Sequence, residues 1–138
     1  MKAFTKILKK TGFDSLQPVQ KIEFLTRIKE SANMRGRLIE TFLVEVLKQD
    51  ADPIVRHEAA FVIAHVRACK RMIGSLALHA LCISAEKDQS LIVRHEALEA
   101  LGEFPEPQAL KTIVKFITSR NNDLRATARI SLAKIQQT

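Results

Sequence analysis

Residues 54–59 and residues 92–97 both read Ile-Val-Arg-His-Glu-Ala, so six residues recur unchanged after 38 positions. The same step returns as Leu124-Arg125, 31 positions after Val93-Arg94, and a looser copy lies at residues 19–22. Repeats of roughly 20–50 residues are typical of solenoids, in which each unit buries its apolar face only against its neighbours. The duplication therefore predicts a stacked array of similar units.

Apolar residues recur at helical spacing along the whole chain, which predicts an all-α fold. Only four glycines and four prolines interrupt the 138 residues, and turn-forming clusters separate the apolar stripes. We predict a single domain, residues 1–138, built as an α-solenoid of about four antiparallel helix pairs. The expected repeats cover residues 1–33, 36–67, 70–104 and 107–138.

The expected helices follow from start and stop signals such as Asp52-Pro53, an acidic cap followed by proline. Thr11-Gly12 should end the first helix, and Asp14-Ser15 should cap the second. The predicted helical stretches are 4–8, 18–32, 38–47, 53–66, 72–85, 93–104, 107–119 and 124–135. Arg56, Arg94 and Arg125 follow the same apolar position in three repeats, which predicts a ladder reaching the Asp or Asn of a neighbouring turn.

The charge and the cysteines indicate a compartment and limit the partners. A net charge of +7 is compatible with an acidic partner or nucleic acid, and equally with a solvated basic surface. Cys69 and Cys82 form no CxxC pair, which favours free thiols in a reducing compartment. No apolar run reaches membrane-spanning length, and the first ten residues lack a signal-peptide core. We therefore expect a cytoplasmic protein without a membrane partner.

The duplicated His-Glu pair carries chemistry, because imidazole nitrogen and carboxylate oxygen are metal-binding atoms. Equivalent helices of stacked repeats lie about 8–10 Å apart, so two such pairs can converge on one point. The candidate metal ligands are His57, Glu58, His95 and Glu96. Nitrogen and oxygen donors without a thiolate suit non-haem iron or manganese, and zinc is also compatible.

Three further expectations surround this site. Glu99 lies one turn after His95 and is a candidate to orient its ring from the second shell of the metal. Ala60, Phe61 and Ala64 share a face with His57 and should let another chain or a substrate approach closely. His65 and His79 have no adjacent acid, so we interpret them as surface or half-buried histidines.

A purely structural interpretation of the His-Glu pairs stays open. The histidine could pack on the next repeat and the glutamate could favour the helix start. Against this, the expected equivalents in the outer repeats are Lys21-Ile22 and Ala126-Thr127, so the pair is lost while the helical pattern is kept.

The pattern Asp-x-Asp-Pro-x-Val-Arg-His-Glu-Ala-Ala at residues 50–60 is similar to a HEAT-like repeat of the phycobiliprotein-lyase type. His-Glu directly after Val-Arg resembles the deoxyhypusine hydroxylase family, iron-dependent monooxygenases built on HEAT-like repeats whose His-Glu pairs hold two irons that activate dioxygen. The resemblance implies that the four candidate ligands bind iron. That family has two halves with two pairs each, and this chain has one half's worth. The resemblance therefore implies a homodimer with two irons.

Three function classes follow from the residues and the resemblance. The first is a non-haem di-iron protein that binds or activates dioxygen, including a hydroxylase, at a homodimer interface. The second is a metal-free repeat scaffold that binds a protein. The third and weakest is a basic solenoid that binds nucleic acid, supported by Lys and Arg content alone. Neither the substrate nor the electron donor follows from any residue.

Overall fold

The computed structural model describes residues 10–31, 36–69 and 73–137. Within these ranges the chain forms eight α-helices and no strand, which confirms the all-α prediction. The helices are α1 Lys10–Asp14, α2 Pro18–Glu30, α3 Gly36–Gln49, α4 Pro53–Ala68, α5 Ser75–Lys87, α6 Leu91–Leu101, α7 Pro107–Val114 and α8 Asn122–Gln136. None of the helices described is both long and apolar enough to cross a lipid bilayer.

The helices form two layers. In one layer α4 packs between α2 and α6, and α6 packs between α4 and α8. In the other layer α5 packs between α3 and α7, and each odd-numbered helix from α3 onward also packs on the even-numbered helix that follows it. This is the stacking that the internal repeat predicts, because each helix finds its apolar partners in adjacent units.

Several helix starts agree with the sequence signals. Asp52 caps α4 by accepting a hydrogen bond from the Ile54 backbone N–H at 2.8 Å. Asn121 caps α8 through the Leu124 N–H at 3.0 Å. These contacts satisfy backbone donors that have no partner within the helix.

Other boundaries differ from the prediction. The predicted stretch 4–8 lies outside the described residues, and Thr11-Gly12 do not end α1, which continues to Asp14. Its Phe13 is buried against the rings of Phe24 and Phe42, and this burial favours helix beyond the glycine. Asp14-Ser15 are not the cap of α2, because Gln17 occupies the cap position.

The predicted bounds of α5 and α7 also need correction. The expected start of α5 at residue 72 lies outside the described residues, and its last turn runs on to Lys87. Helix α7 ends at Val114, not Ser119. Its continuation tightens into turns in which Lys115 and Phe116 donate to carbonyls three residues back.

The predicted arginine ladder is confirmed at Arg56. Its guanidinium makes two hydrogen bonds of 3.0 Å to Asp88, in the turn of the next repeat, and these bonds raise the pKa of Arg56. Arg94 instead donates to the Ala85 carbonyl, and Arg125 binds Ser119 and Asn122 in its own turn. The ladder therefore connects neighbouring repeats through a side-chain carboxylate at Arg56 and not at the other two positions.

The first repeat aligns one residue away from the expected register. Lys21 contacts Asp50 at 2.7 Å, as Arg56 contacts Asp88, and both cations follow a proline at the helix start by three residues. The equivalents of His57 and Glu58 are therefore Ile22 and Glu23. The predicted equivalents, Lys21 and Ile22, were therefore wrong by one residue. The apolar spacing of the helix fits both alignments and does not distinguish them.

Candidate metal centre

The two His-Glu pairs lie at the fifth and sixth residues of α4 and α6, which are neighbours in one layer. Val55 and Val93 are fully buried, and burial of each valine contributes about 1.5–3 kcal/mol. This burial sets the rotation of each helix about its axis. Two residues later, His57 and His95 emerge half-buried at the surface.

The pairs meet diagonally across the two helices. His57 Nε2 lies 3.1 Å from Glu96 Oε2, so the histidine of one repeat contacts the glutamate of the next. The His57 side chain is 34% exposed and the Glu96 side chain 8%. The sequence analysis expected the two pairs to converge, but it did not specify which histidine contacts which glutamate, because adjacent helical residues point about 100° apart.

Glu96 has the most perturbed electrostatics of the site. The pKa of its carboxyl is raised from the usual 4.5 to about 7, chiefly by burial and then by the neighbouring carboxylates of Glu99 and Glu58, while His95 lowers it. Among the ion pairs of the described residues, no lysine or arginine reaches Glu96. A buried acid without a fixed cationic partner is suited to receive a cation from solution.

The Glu99 carboxylate lies beside the donor atoms of His95 and Glu96. His95, Glu96 and Glu99 each offer one donor atom, and these atoms lie within 4.8 Å of one another. With His57, which contacts Glu96 at 3.1 Å, these side chains offer two imidazoles and two carboxylates. These are the donors that a divalent first-row metal accepts, so the residues present fit such an ion.

The two glutamates of the repeated pair are not equivalent. Glu96 is buried, whereas Glu58 is half-buried and lies outside the group formed by His95, Glu96 and Glu99. Glu58 acts on the site through its charge, which is felt at Glu96. The structure thus brings two of the four predicted ligands, His95 and Glu96, together with Glu99, and places a third, His57, in contact with Glu96.

The outer repeats replace these side chains. On α8, Ala126 and Thr127 stand where α6 has His95 and Glu96, and Thr127 is buried as Glu96 is. On α2, the corrected register places Ile22 and the exposed Glu23 there. The histidine is therefore absent from both equivalent positions.

Two shallow grooves open onto the site. The first, of about 290 Å³, is lined by the two histidines and by side chains from the starts of α6 and α8, namely Leu91, Ile92, Asn121, Asp123 and Leu124. The second, of about 270 Å³, has Glu96, Glu99 and Glu103 along α6, with Phe61 on α4 and Ile130 on α8 among its other lining residues. The buried carboxylate is thus approached from two sides.

The face beside His57 differs from the expectation in one residue. Phe61 is exposed and Ala64 half-buried, as an accessible face requires, but Ala60 is fully buried in the core. Position 60 rotates inward with the buried Ala59, so it cannot contact a second chain. The groove residues Glu103 and Ile130 were not foreseen. The spacing of Glu96, Glu99 and Glu103, three and then four residues apart, was the signal for a common acidic stripe.

Of the remaining histidines and cysteines, His65 lines the groove beside Glu96, and His79, Cys69 and Cys82 line neither groove. His65 and His79 are both exposed, as expected for histidines without an adjacent acid. His65 Nε2 lies 3.7 Å from the thiol of Cys69, and His79 lies 3.4 Å from Gln108. Both cysteines are free, and burial raises the pKa of the Cys82 thiol.

Comparisons with known proteins agree with this architecture. A family model described as HEAT repeats matches residues 40–133. The structure of human deoxyhypusine hydroxylase in complex with glycerol superposes with a TM-score of 0.76 at 17% identity, over 99% of this chain and 43% of that one. A designed armadillo repeat protein superposes with a TM-score of 0.64 at 18% identity, over 96% of this chain and 63% of that one. No curated protein matches the sequence.

These comparisons confirm the expected HEAT-like α-solenoid and its likeness to deoxyhypusine hydroxylase. At these identities the likeness concerns the fold, and the chain spans less than two thirds of the length of either structure.

Proposed function

The chain belongs to the HEAT-repeat family, and from that premise we propose that it is a non-haem iron protein that binds dioxygen at its His-Glu face. The proposed ligands are His57, Glu58, His95 and Glu96, with iron as the metal and manganese or zinc as compatible ions. Ferrous iron, when bound, supplies electrons and open coordination positions for dioxygen. Hydroxylation of a substrate is the finer proposal, supported by the likeness of the fold to a hydroxylase.

One observation carries the proposal: the buried Glu96 carboxylate lies between histidines of two repeats, with His57 at 3.1 Å and His95 in the same donor group. Packing alone would favour an apolar residue at this position, because it is costly to bury an acid that no lysine or arginine of the described residues pairs with. A divalent ion would offset that cost. The histidines would hold the ion from the groove side and Glu96 from the helix side.

We further propose a homodimer in which a twofold axis brings two such sites together, with about two irons per dimer. The support is a length argument, because this chain covers 43% of the hydroxylase structure and carries two His-Glu pairs. A twofold interface makes both sites equivalent and encloses their open positions. Exposed Phe61 and half-buried Ala64 beside the site leave room for a second copy to approach.

Metal analysis tests the proposal. The purified chain is stripped with a chelator, loaded anaerobically with Fe(II), passed over a desalting column and assayed for iron by mass spectrometry. We expect about one iron per chain, and a change in the optical absorption spectrum when air is admitted. A loaded chain that keeps no iron contradicts the proposal.

A metal-free adaptor is the second candidate. The groove beside Glu96 carries exposed apolar side chains, Phe61 at 39% and Ile130 at 68% exposure, which a bound peptide could cover. Iron retention separates the two functions, since an adaptor needs no metal.

A further inference from the structure

We infer that Glu99 is itself a metal ligand and takes the place of Glu58 in the proposed set, so that each ion is held by His57, His95, Glu96 and Glu99 of a single chain. This rests on the proposed function and deepens it. The repeated His-Glu pair does not include Glu99, and its equivalent on α4 is Phe61, which has no donor atom. The ion is therefore bound asymmetrically, closer to α6 than to α4.

Distance is the first support. Metal bonds of about 2.1 Å place two donors of one ion about 3–4 Å apart. The donor atoms of His95, Glu96 and Glu99 already lie within 4.8 Å of one another. Glu99 is exposed, so a small rotation of its side chain closes the remaining distance. His57, on the neighbouring helix, lies 3.1 Å from Glu96 and is the fourth donor of the inferred set.

Charge is the second support. Glu103, one turn after Glu99, pairs with Lys134 of α8. No such pair reaches Glu99 among the residues that the structure describes. Two carboxylates close together without a cation repel each other, and one divalent ion between them neutralises both charges. Glu58 lies outside this group of donors.

Access is the third support. Glu96 and Glu99 both line the groove of about 270 Å³ between α4 and α8, while His57 and His95 line the other groove. Each of the four donors therefore lines a groove that is open to solution, so an ion can reach them without opening the core. The set is complete within one chain, so metal binding does not depend on a second copy.

The test measures Mn(II) affinity by calorimetry on the metal-free full chain and on two variants. Glu99→Gln removes the carboxylate charge from an exposed side chain, and Glu103→Gln is the matched control on the same helix and groove. We expect at least a tenfold weaker affinity for Glu99→Gln and a change below twofold for Glu103→Gln. Circular dichroism should give the same helix content for all three proteins.

A second variant separates a ligand from a group that only orients His95. In Glu99→His an imidazole nitrogen replaces the carboxylate oxygen, so the visible bands of bound Co(II) should shift in energy relative to the wild-type chain. Weakened Co(II) binding with unshifted bands would assign Glu99 an orienting role and overturn the inference.

The outcomes also separate this inference from the proposed function. If the wild-type chain and Glu99→Gln bind Mn(II) equally, Glu99 is not a ligand, although the metal function stands. If the wild-type chain binds neither Mn(II), Co(II) nor Fe(II), both proposals fail together.

Discussion

Folding and the proposed metal binding favour opposite protonation states of Glu96. The fold buries it beside Glu99 and Glu58, which disfavours its charged form, whereas metal binding requires the carboxylate. The histidines at its sides are half-exposed, so they contribute less to packing. This contrast allows stability and metal binding to be separated by substitution.

The pKa of Glu96 predicts a pH-dependent stability of the metal-free chain. The group titrates near 4.5 when unfolded and near 7 when folded, so the folded state binds more protons between these values. The free energy of unfolding should therefore fall as pH rises from about 4.5 to 7, by an amount on the order of 2–3 kcal/mol. Glu96→Gln should flatten this dependence, measured by urea unfolding with a chelator present.

The control for that experiment is Glu23→Gln, at the exposed equivalent of Glu58 on α2. This variant should retain the pH dependence of the wild-type chain. Equal slopes for Glu96→Gln and the wild type would show that Glu96 is not the group responsible.

Substitution of either histidine should remove the metal while preserving the fold. His57→Ala and His95→Ala each delete a donor on a half-exposed side chain, so we expect at least a tenfold loss of Fe(II) affinity with helix content unchanged. His79→Ala, on an exposed histidine of α5, is the matched control. Full iron occupancy in either variant would make that histidine structural, and unfolding would contradict its placement off the core.

At the scale of the helices, the site depends on how α4, α6 and α8 stack. Arg56 joins the start of α4 to the turn before α6 by contacting Asp88 and the carbonyls of Asp50 and Ala51. Gly102 lets α8 approach, because an added Cβ would lie 3.2 Å from the Ser131 hydroxyl oxygen and 3.1 Å from the Glu99 carbonyl oxygen. The Arg56 contacts and the close packing at Gly102 both fix the position of α6, the helix that carries Glu96 and Glu99.

Removal of Arg56 should weaken the stack measurably. Arg56→Ala leaves the largely buried Asp88 carboxylate and two carbonyls without this donor, so we expect a loss of about 3 kcal/mol in thermal or urea unfolding. Arg125→Ala is the control, because Arg125 contacts only its own turn among the partners described, and it should cost about 1 kcal/mol. Equal losses for the two variants would show that the contact between repeats adds nothing.

At the scale of the whole molecule, the open question is whether two chains face each other at the site. A dimer would shield Phe61 and the apolar Ile92, which is 43% exposed, and would enclose both metal positions. On the proposed ligand set all four donors belong to one chain, so the monomer would bind an ion and the proposed dimer would bring two ions together.

Native mass spectrometry of the iron-loaded chain should therefore show a homodimer carrying two irons. Phe61→Glu should shift the population towards a monomer with one iron, because it places like charges against each other at the proposed interface. Glu23→Gln should remain dimeric. A wild-type chain that is monomeric at every concentration would contradict the interface while leaving the metal site in place.

The all-α class and the repeat were predictable from the sequence because they depend on local order. Apolar spacing, the Asp52-Pro53 start and the duplicated residues 54–59 act over one or two helical turns. They placed His57 and His95 near the starts of neighbouring helices, which the structure shows. These local signals gave a wrong helix end at Gly12, because the burial of Phe13 against residues distant in sequence favours a longer helix.

Only the tertiary structure decided which side chains share a site. The sequence treats Glu58 and Glu96 as copies, yet Glu96 is buried and Glu58 only half-buried, although α4 and α6 each pack between two helices of their layer. The contact of 3.1 Å between His57 and Glu96 joins residues 39 positions apart, and no local pattern encodes it. Helix propensity and capping act within a turn, whereas burial and charge depend on the neighbours that stacking supplies. The sequence by itself therefore determined the kind of donors and their helices, and the stacking of α4, α6 and α8 determined which of them converge.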